Sequence, residues 1–224
     1  MKTMPNKGSF IVLDGIDGSG TTTQTKWLVA ALRERFPTRE IVQTAEPTTE
    51  VVGKHIRDIF EGRAGMALPP WDVMARLFVA DRGLHMYTKV QPALDRGAIV
   101  VSDRYYYSTF AYQLAQYIHS PNGVTEYFTK IVSKTLEDLC TLDGPPTLAL
   151  ILVVPVNVAF ERRKGRAPDE FEKNLDYQHT VASEYAKFGI SHKFASNLHY
   201  IDSNRPHELV AADIIEKVLS VLTA

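Results

Sequence analysis

The sequence has very little cysteine: Cys140 is the single one among 224 residues. One cysteine excludes an internal disulfide framework and a zinc site built from several thiolates, and such scarcity is typical of a reducing compartment. We expect Cys140 to pack at the end of a helix, and we predict a cytoplasmic location for the protein.

A long apolar run and an excess of charge are also absent. The longest apolar run, Leu148–Val156, is interrupted by Pro155 and is too short to cross a bilayer. The first ten residues contain no apolar core of signal-peptide length. A formal net charge of −1 gives no electrostatic reason to bind nucleic acid or anionic membranes. We therefore expect neither as a partner.

Short apolar runs alternate with longer helical patterns along the chain. Continuous apolar strands indicate burial on both faces, and the alternation indicates a parallel sheet covered by helices. We predict an α/β fold, a single domain over residues 1–224, with a five-stranded parallel sheet and helices on both faces. The predicted strands are Phe10–Leu13, Glu40–Thr44, Ala98–Ser102, Leu148–Val153 and His199–Ile201. The predicted helices are Thr22–Phe36, Val52–Phe60, Pro70–Leu94, Ser108–Ile118, Val124–Leu139, Val156–Arg163, Glu170–Lys187 and Pro206–Leu222.

A glycine-rich loop follows the first predicted strand and leads into a helix. Gly15, Gly20 and Thr22 fit the phosphate-loop spacing G-x-x-x-x-G-[K]-[ST], although Thr21 stands where the lysine is usual. Backbone N–H groups of such a loop can wrap an anion at a helix N-terminus. The alternative is a chance glycine-rich turn. The residues predicted to bind ATP or its phosphates here are Gly15, Gly18, Ser19, Gly20, Thr21, Thr22 and Thr23.

Polar residues follow the other predicted strands, at the edge where ligands of parallel sheets bind. The pair Asp103-Arg104 follows the third strand. It is either a salt-bridged strand end or a carboxylate near Mg²⁺ beside an arginine for phosphate. Phosphoryl transfer needs both kinds of group, so the phosphate loop favours the second interpretation.

Two further segments have a functional and a purely structural interpretation. Phe78 and Arg82 are one helical turn apart and could hold a base and its phosphate, or they could be a core ring beside a solvated arginine. The basic cluster at residues 162–166 could be a solvated helix end. Because Gly165 and Pro168 mark a loop between two helices here, it could also be a segment that closes over phosphates.

Together these segments resemble the thymidylate kinase family of P-loop nucleoside monophosphate kinases. The resemblance extends from about Phe10 to the C-terminus, and its most specific part is DRYYYSTFAYQ at Asp103–Gln113. It implies a P-loop kinase fold with a short lid at about residues 162–172. The other matching segments are GIDGSGTTTQ from Gly15, AEP from Ala45, LFVADR from Leu77 and IDSNRPHELVAADI from Ile201.

The resemblance implies ATP-dependent phosphorylation of dTMP to dTDP for dTTP biosynthesis, with Mg²⁺ as cofactor. It also implies a homodimer packed through helices such as Pro70–Leu94. Two alternatives stay open: a kinase for another pyrimidine deoxynucleoside monophosphate, and a nucleotide-binding protein with weak turnover because Thr21 replaces the lysine.

The resemblance also implies roles for individual residues of the acceptor site. Asp17 would contact the sugar 3′-hydroxyl or the acceptor phosphate, and Phe78 would stack on thymine. Arg82 and Arg104 would bind the dTMP phosphate. The remaining substrate-binding residues would be Glu46, Thr109, Tyr112 and Gln113, with Tyr112 disfavouring a 2′-hydroxyl.

On the donor side, the resemblance implies that Thr22 binds Mg²⁺ and that Asp103 holds its water shell. Arg162 would bind ATP. Gly18 stands where one branch of the family has a loop arginine, and Arg166 fits the lid arginine of the other branch. The implied catalytic residues are Asp17, Arg104 and Arg166.

Three positions depart from the family pattern, and each lacks a positive charge near phosphate. They are Thr21 for lysine, Ala45 for the arginine of REP, and Glu170 for a lid arginine. Either turnover is reduced, or the charge comes from the basic cluster Arg162, Arg163, Lys164 and Arg166.

Overall fold

The computed structural model describes residues 8–121, 125–164, 174–190, 194 and 197–223. Its five strands form one parallel sheet in the order β2-β3-β1-β4-β5, which confirms the predicted α/β fold. In this register Leu13 lies beside Asp103, so the ends of the two central strands are level. The strands are β1 (Ser9–Gly15), β2 (Ile41–Ala45), β3 (Ile99–Asp103), β4 (Leu148–Val153) and β5 (Leu198–Asp202).

Helices connect the strands and cover both faces of the sheet. A π-helical turn, Met86–Val90, joins the third helix to the fourth, and a 3₁₀ turn, Phe188–Ile190, follows the eighth. The helices are α1 (Thr21–Arg35), α2 (Val51–Phe60), α3 (Trp71–His85), α4 (Gln91–Asp95), α5 (Tyr106–Ile118), α6 (Glu126–Cys140), α7 (Val156–Arg162), α8 (Leu175–Lys187) and α9 (His207–Leu222).

Alternate residues of β1 belong to two different hydrophobic cores. Phe10 and Val12 pack in the core that contains α5 and α8. Ile11 and Leu13 pack in the core beneath α1 and α9. Side chains of a strand alternate between the two faces, so a strand covered on both sides is apolar throughout. The central strand thereby holds the loop at its carboxyl end on a rigid support.

The outer strands and one helix differ from the sequence prediction. β2 and β5 are partly exposed, because they are the edges of the sheet and have a neighbour on one side only. The predicted helix Pro70–Leu94 is helical throughout α3 and α4 but contains the π-helical turn. Pro92 explains this widening, since it has no N–H for the carbonyl four residues earlier and its ring clashes there.

Other predicted bounds agree closely with the described elements. Cys140 is buried as the last residue of α6, as predicted. α5 begins at Tyr106, two residues before the predicted start. The predicted starts of two helices, at Val124 and Glu170, lie outside the described residues. Within the described residues, every helix is too short or too polar to cross a membrane.

Candidate active site

The loop between β1 and α1 has the backbone geometry of an anion cradle. Gly18 and Gly20 both have a positive φ, and Gly20 is the N-cap of α1 without any side-chain cap. The first N–H groups of α1 are therefore left for a ligand. At Gly18 a Cβ would lie 2.4 Å from the carbonyl oxygen of Ala159 in α7. This contact leaves no room at Gly18 for the arginine of the other family branch.

The threonines that open α1 have different surroundings. Thr21, at the lysine position, is buried. Thr22 is the one that reaches β3: its Oγ1 donates a hydrogen bond of 2.5 Å to Asp103 Oδ2. Thr23 is exposed, whereas Ser19 in the loop is buried with an Oγ that has no partner among the described residues.

Thr22 and Asp103 form an oxygen donor set that fits Mg²⁺. Asp103 Oδ1 is buried and has no hydrogen-bond partner among the described residues. Over the described part of the chain, no three histidine, cysteine or acidic side chains cluster as a metal site. Mg²⁺ is usually held by one or two protein oxygens together with waters and substrate phosphates, so this small set is sufficient.

Arg104 reaches from the end of β3 into the loop after β1. Its guanidinium donates to the carbonyl oxygen of Gly15 at 2.9 Å and to Ser108 Oγ at 2.7 Å, and it forms an ion pair with Asp17. The backbone of Arg104 has a φ of 74°, a conformation that a non-glycine residue keeps only where its surroundings fix it. Asp103 and Arg104 thus have separate partners and are both part of the site.

Asp17 and Tyr112 form a reciprocal pair across the cleft. The Tyr112 hydroxyl donates to Asp17 Oδ2 at 2.7 Å and accepts from the Asp17 N–H at 3.0 Å. Burial, and then the Asp17 charge, raise the pKa of Tyr112 well above its ordinary value, so this hydroxyl stays a donor. The structure therefore places both residues beside Arg104.

Asp14 is a member of the site that the sequence did not single out. Its carboxyl group is fully buried at the end of β1 and accepts hydrogen bonds from Ser108 Oγ at 2.6 Å and Tyr185 OH at 2.7 Å. Burial raises the pKa of Asp14, although the Arg104 charge opposes this rise. In the sequence, an aspartate before a glycine loop is indistinguishable from an ordinary strand end. No local pattern around Tyr185, which lies on α8, indicates that it belongs to the site.

A second buried network surrounds Arg82. The guanidinium is fully buried, so the solvated-arginine interpretation is wrong. Its Nε lies 3.1 Å from Glu46 Oε2, and it donates to Thr109 Oγ1 at 2.6 Å. One terminal nitrogen of Arg82 has no oxygen or nitrogen partner in the described part of the chain, although the buried Cys140 thiol lies near the guanidinium. Neither amide atom of Gln113, one turn beyond Thr109, has a hydrogen-bond partner there.

His85, which the sequence analysis did not select, continues this network toward β2. Its Nδ1 lies 3.0 Å from Glu46 Oε1, and its Nε2 lies 2.6 Å from Thr44 Oγ1. A carboxylate only accepts, so Nδ1 carries a proton. His85 lies three residues after Arg82 in α3, so the two side chains share one face of the helix. This spacing is the one sequence signal that could have identified His85.

Phe78 lies on the same helix as Arg82 and is half-buried. Its ring centroid is 6.0 Å from that of Phe60 in α2, with the planes inclined by 34°. The structure thus supports one side of the ring with apolar contacts. This arrangement agrees with a ring that stacks on a planar ligand.

The basic cluster after β4 is only partly within the described residues. Arg162 donates to the Ser203 carbonyl at 2.9 Å, and its other terminal nitrogen lies 3.5 Å from the Gly18 carbonyl of the loop. Lys164 pairs with Glu161 at 2.6 Å on the same segment. The predicted lid residues Arg166 and Glu170 lie outside the described residues.

The fold and this site define a class of protein. A parallel sheet whose first strand leads into a glycine loop, with Thr22 and Asp103 beside it, is the arrangement of a P-loop nucleotide-binding kinase. A family model described as thymidylate kinase matches residues 13–214. The chain belongs to the thymidylate kinase family.

Curated relatives agree with this family. A "Probable thymidylate kinase" of Thermococcus gammatolerans is 35% identical over 186 residues, covering 80% of this chain and 82% of the relative. A "Thymidylate kinase" of Prochlorococcus marinus is 34% identical over 172 residues, covering 75% and 76%. A "Thymidylate kinase" of Carboxydothermus hydrogenoformans is 30% identical over 190 residues, covering 84% and 87%.

Proposed function

We propose that the protein transfers the terminal phosphoryl group of ATP to dTMP, giving dTDP and ADP. The observation that carries this proposal is the position of Arg104, whose guanidinium reaches Gly15 and Asp17 in the phosphate loop. A fixed arginine beside a phosphate cradle binds the acceptor phosphate where the donor phosphates end. Phosphoryl transfer depends mainly on such positioning and charge stabilisation.

The donor phosphates bind to the backbone N–H groups of the loop from Gly15 to Thr22. Thr22 and Asp103 would hold Mg²⁺, which neutralises phosphate charge when it is bound. Arg162 contacts the loop at Gly18 and lies on the donor side. The segment 162–172, with Arg166, would be the lid that covers the phosphates and supplies the charge missing at Thr21.

The base of the acceptor binds between Phe78 and the buried network of Arg82. The Arg82 charge is already paired with Glu46, so we assign its unpartnered nitrogen to a base carbonyl and leave the phosphate to Arg104. The Gln113 amide offers one donor and one acceptor to the same edge. Thymine presents a carbonyl there, whereas cytosine presents an amino group that an arginine cannot pair with.

The Asp17–Tyr112 pair would contact the sugar. Asp17 is bonded to both Arg104 and Tyr112. Its carboxylate would accept a further hydrogen bond from the 3′-hydroxyl, and Tyr112 would occupy the neighbouring space. This pairing favours a deoxyribose, since a 2′-hydroxyl would compete for the space of the tyrosine.

We also propose a homodimer formed through α3. One side of α3 and of the turn that follows it carries exposed apolar side chains. They are Val73, Leu84 and Tyr87, which are 39%, 49% and 80% exposed. Sedimentation of the parent and of Leu84→Glu tests this proposal. We expect a dimer for the parent and a monomer for the variant, and a monomeric parent contradicts it.

The test of the function is a coupled assay of ADP release with dTMP, dUMP and dCMP at equal concentration. We expect dTMP to be the best acceptor and dCMP the poorest. Faster turnover with dUMP would support the alternative acceptor class, and equal turnover with dCMP contradicts the role given to Arg82. ATP binding without ADP release for any acceptor contradicts the kinase proposal.

A further inference from the structure

The hydroxyl of Tyr185 in α8 reaches Asp14 at the end of β1. It donates to Asp14 Oδ1 at 2.7 Å and lies 2.9 Å from Ser108 Oγ. The side chain is 3% exposed. Burial, and then the Asp14 charge, raise the pKa of Tyr185 well above its ordinary value, so the hydroxyl keeps its proton.

Asp14 in turn fixes the first turn of α5. Its Oδ2 accepts from the N–H groups of Tyr105 at 2.9 Å and Ser108 at 3.3 Å. The N-cap residue of α5, Tyr105, makes no side-chain cap of its own. Asp14 therefore caps this helix from a neighbouring strand, and it satisfies N–H groups that would otherwise have no partner.

Ser108 passes this constraint to Arg104. Its hydroxyl donates to Asp14 Oδ1 at 2.6 Å and accepts from Arg104 at 2.7 Å. The oxygens of Tyr185, Asp14 and Ser108 thus form a triangle in which Asp14 Oδ1 accepts from both hydroxyls. Without the tyrosine hydroxyl, Asp14 loses one of the donors that orient its carboxylate, and Ser108 depends on that carboxylate for its own orientation toward Arg104, whose backbone conformation is fixed by its surroundings.

We propose that Tyr185 is a positioning residue for Arg104, acting through Asp14 and Ser108. This inference rests on the proposed role of Arg104 in binding the acceptor phosphate. Because Tyr185 lies on α8, the helix that follows the predicted lid segment, the same contact couples that helix to the acceptor site.

The first test compares Tyr185→Phe with Tyr177→Phe. Tyr177 is a matched control: it lies on the same helix, is also buried, and donates to the Tyr112 carbonyl at 2.7 Å without contacting the Asp14 triangle. We expect Tyr185→Phe to weaken dTMP binding in calorimetry about fivefold, the effect of one buried hydrogen bond, and to lower kcat. ATP affinity should change less than twofold in both variants. Equal losses of dTMP affinity in the two variants, or none in either, overturn the proposal.

The second test is a double-mutant cycle on the dTMP dissociation constant. If Tyr185 acts through Arg104, Tyr185→Phe should have no further effect in the Arg104→Ala background. Independent losses that multiply overturn the proposal. If Tyr185→Phe does not fold, as judged by circular dichroism, Ser108→Ala replaces it with the same expectation.

A crystal structure of Tyr185→Phe separates this inference from the proposed function. If Arg104→Ala binds dTMP as the parent does, the proposed role of Arg104 is contradicted. The structure of Tyr185→Phe then decides the inference by itself. An Arg104 guanidinium displaced from Ser108 and Gly15 supports it, and an unmoved guanidinium overturns it.

Discussion

Arg82 and Glu46 form an ion pair in which both side chains are buried: Nε of Arg82 lies 3.1 Å from Oε2 of Glu46, at side-chain exposures of 0% and 5%. His85 contacts the other carboxylate oxygen at 3.0 Å. Desolvation of two charges is costly, and removal of one partner leaves the other uncompensated in the interior. This pair therefore links the proposed recognition of the substrate to the stability of the fold.

Arg82→Ala should weaken dTMP binding far more than ATP binding and also destabilise the protein. We expect the free energy of unfolding to fall by about 3–5 kcal/mol, the usual cost of breaking a buried pair. Calorimetry with each nucleotide and urea unfolding measure the two effects. Arg96→Ala, which removes the exposed partner of Glu40, is the control and should leave both nearly unchanged. Unaltered dTMP affinity in Arg82→Ala contradicts the recognition role.

Gly18→Ala should impair both folding stability and ATP binding. The new Cβ would meet the Ala159 carbonyl oxygen at 2.4 Å, and the positive φ adds strain. Gly62→Ala is the matched control, because Gly62 also has a positive φ but nothing within 4 Å of the added carbon. The control isolates the conformational cost of about 1–2 kcal/mol. Equal melting temperatures for the two variants would show that α7 yields to the new methyl group.

The central strands and the phosphate loop could be predicted from the sequence, since each depends on local signals. Apolar runs mark the central strands, and Gly15, Gly18 and Gly20 mark a loop whose backbone needs unusual φ values. The position of Asp103 beside the phosphate loop followed from strand ends that meet at one edge, whereas the selection of Thr22, Asp17 and Tyr112 depended on the family resemblance. The π-helical turn was not predicted, although Pro92 is its physical cause.

The partners of the buried charges could not be predicted in this way. Asp14 receives Tyr185 from a helix that lies 171 residues away in sequence, and no local pattern records that contact. The sequence likewise cannot show that Glu46 already neutralises the Arg82 guanidinium. Long-range pairing inside the fold decides which charges stay available for a ligand.

The buried thiol of Cys140 should make stability depend on pH in the alkaline range. Burial raises its pKa from 9.0 to about 12, so between these values the folded chain keeps a proton that the unfolded chain loses. Stability from this group must therefore fall as pH rises above about 9, by at most about 1.4 kcal/mol per pH unit. Urea unfolding at pH 8 and pH 10 should show a steeper decline for the parent than for Cys140→Ala. Parallel declines would contradict the raised pKa.

Thr21→Lys should raise kcat more than it tightens ATP binding. Binding depends on the loop amides and the hydroxyl of Thr22, which the substitution leaves in place, whereas a lysine at this position follows negative charge on the phosphates into the transition state. The site of substitution is buried, so the long side chain must leave the interior toward the phosphates.

The measurement is kcat and ATP affinity for both proteins. Thr23→Lys is the control, because Thr23 is exposed and lies one residue beyond Thr22. We expect no gain in the control. A Thr21→Lys variant slower than the parent would mean that the surroundings are adapted to threonine and that other residues, such as the arginines after β4, supply the charge.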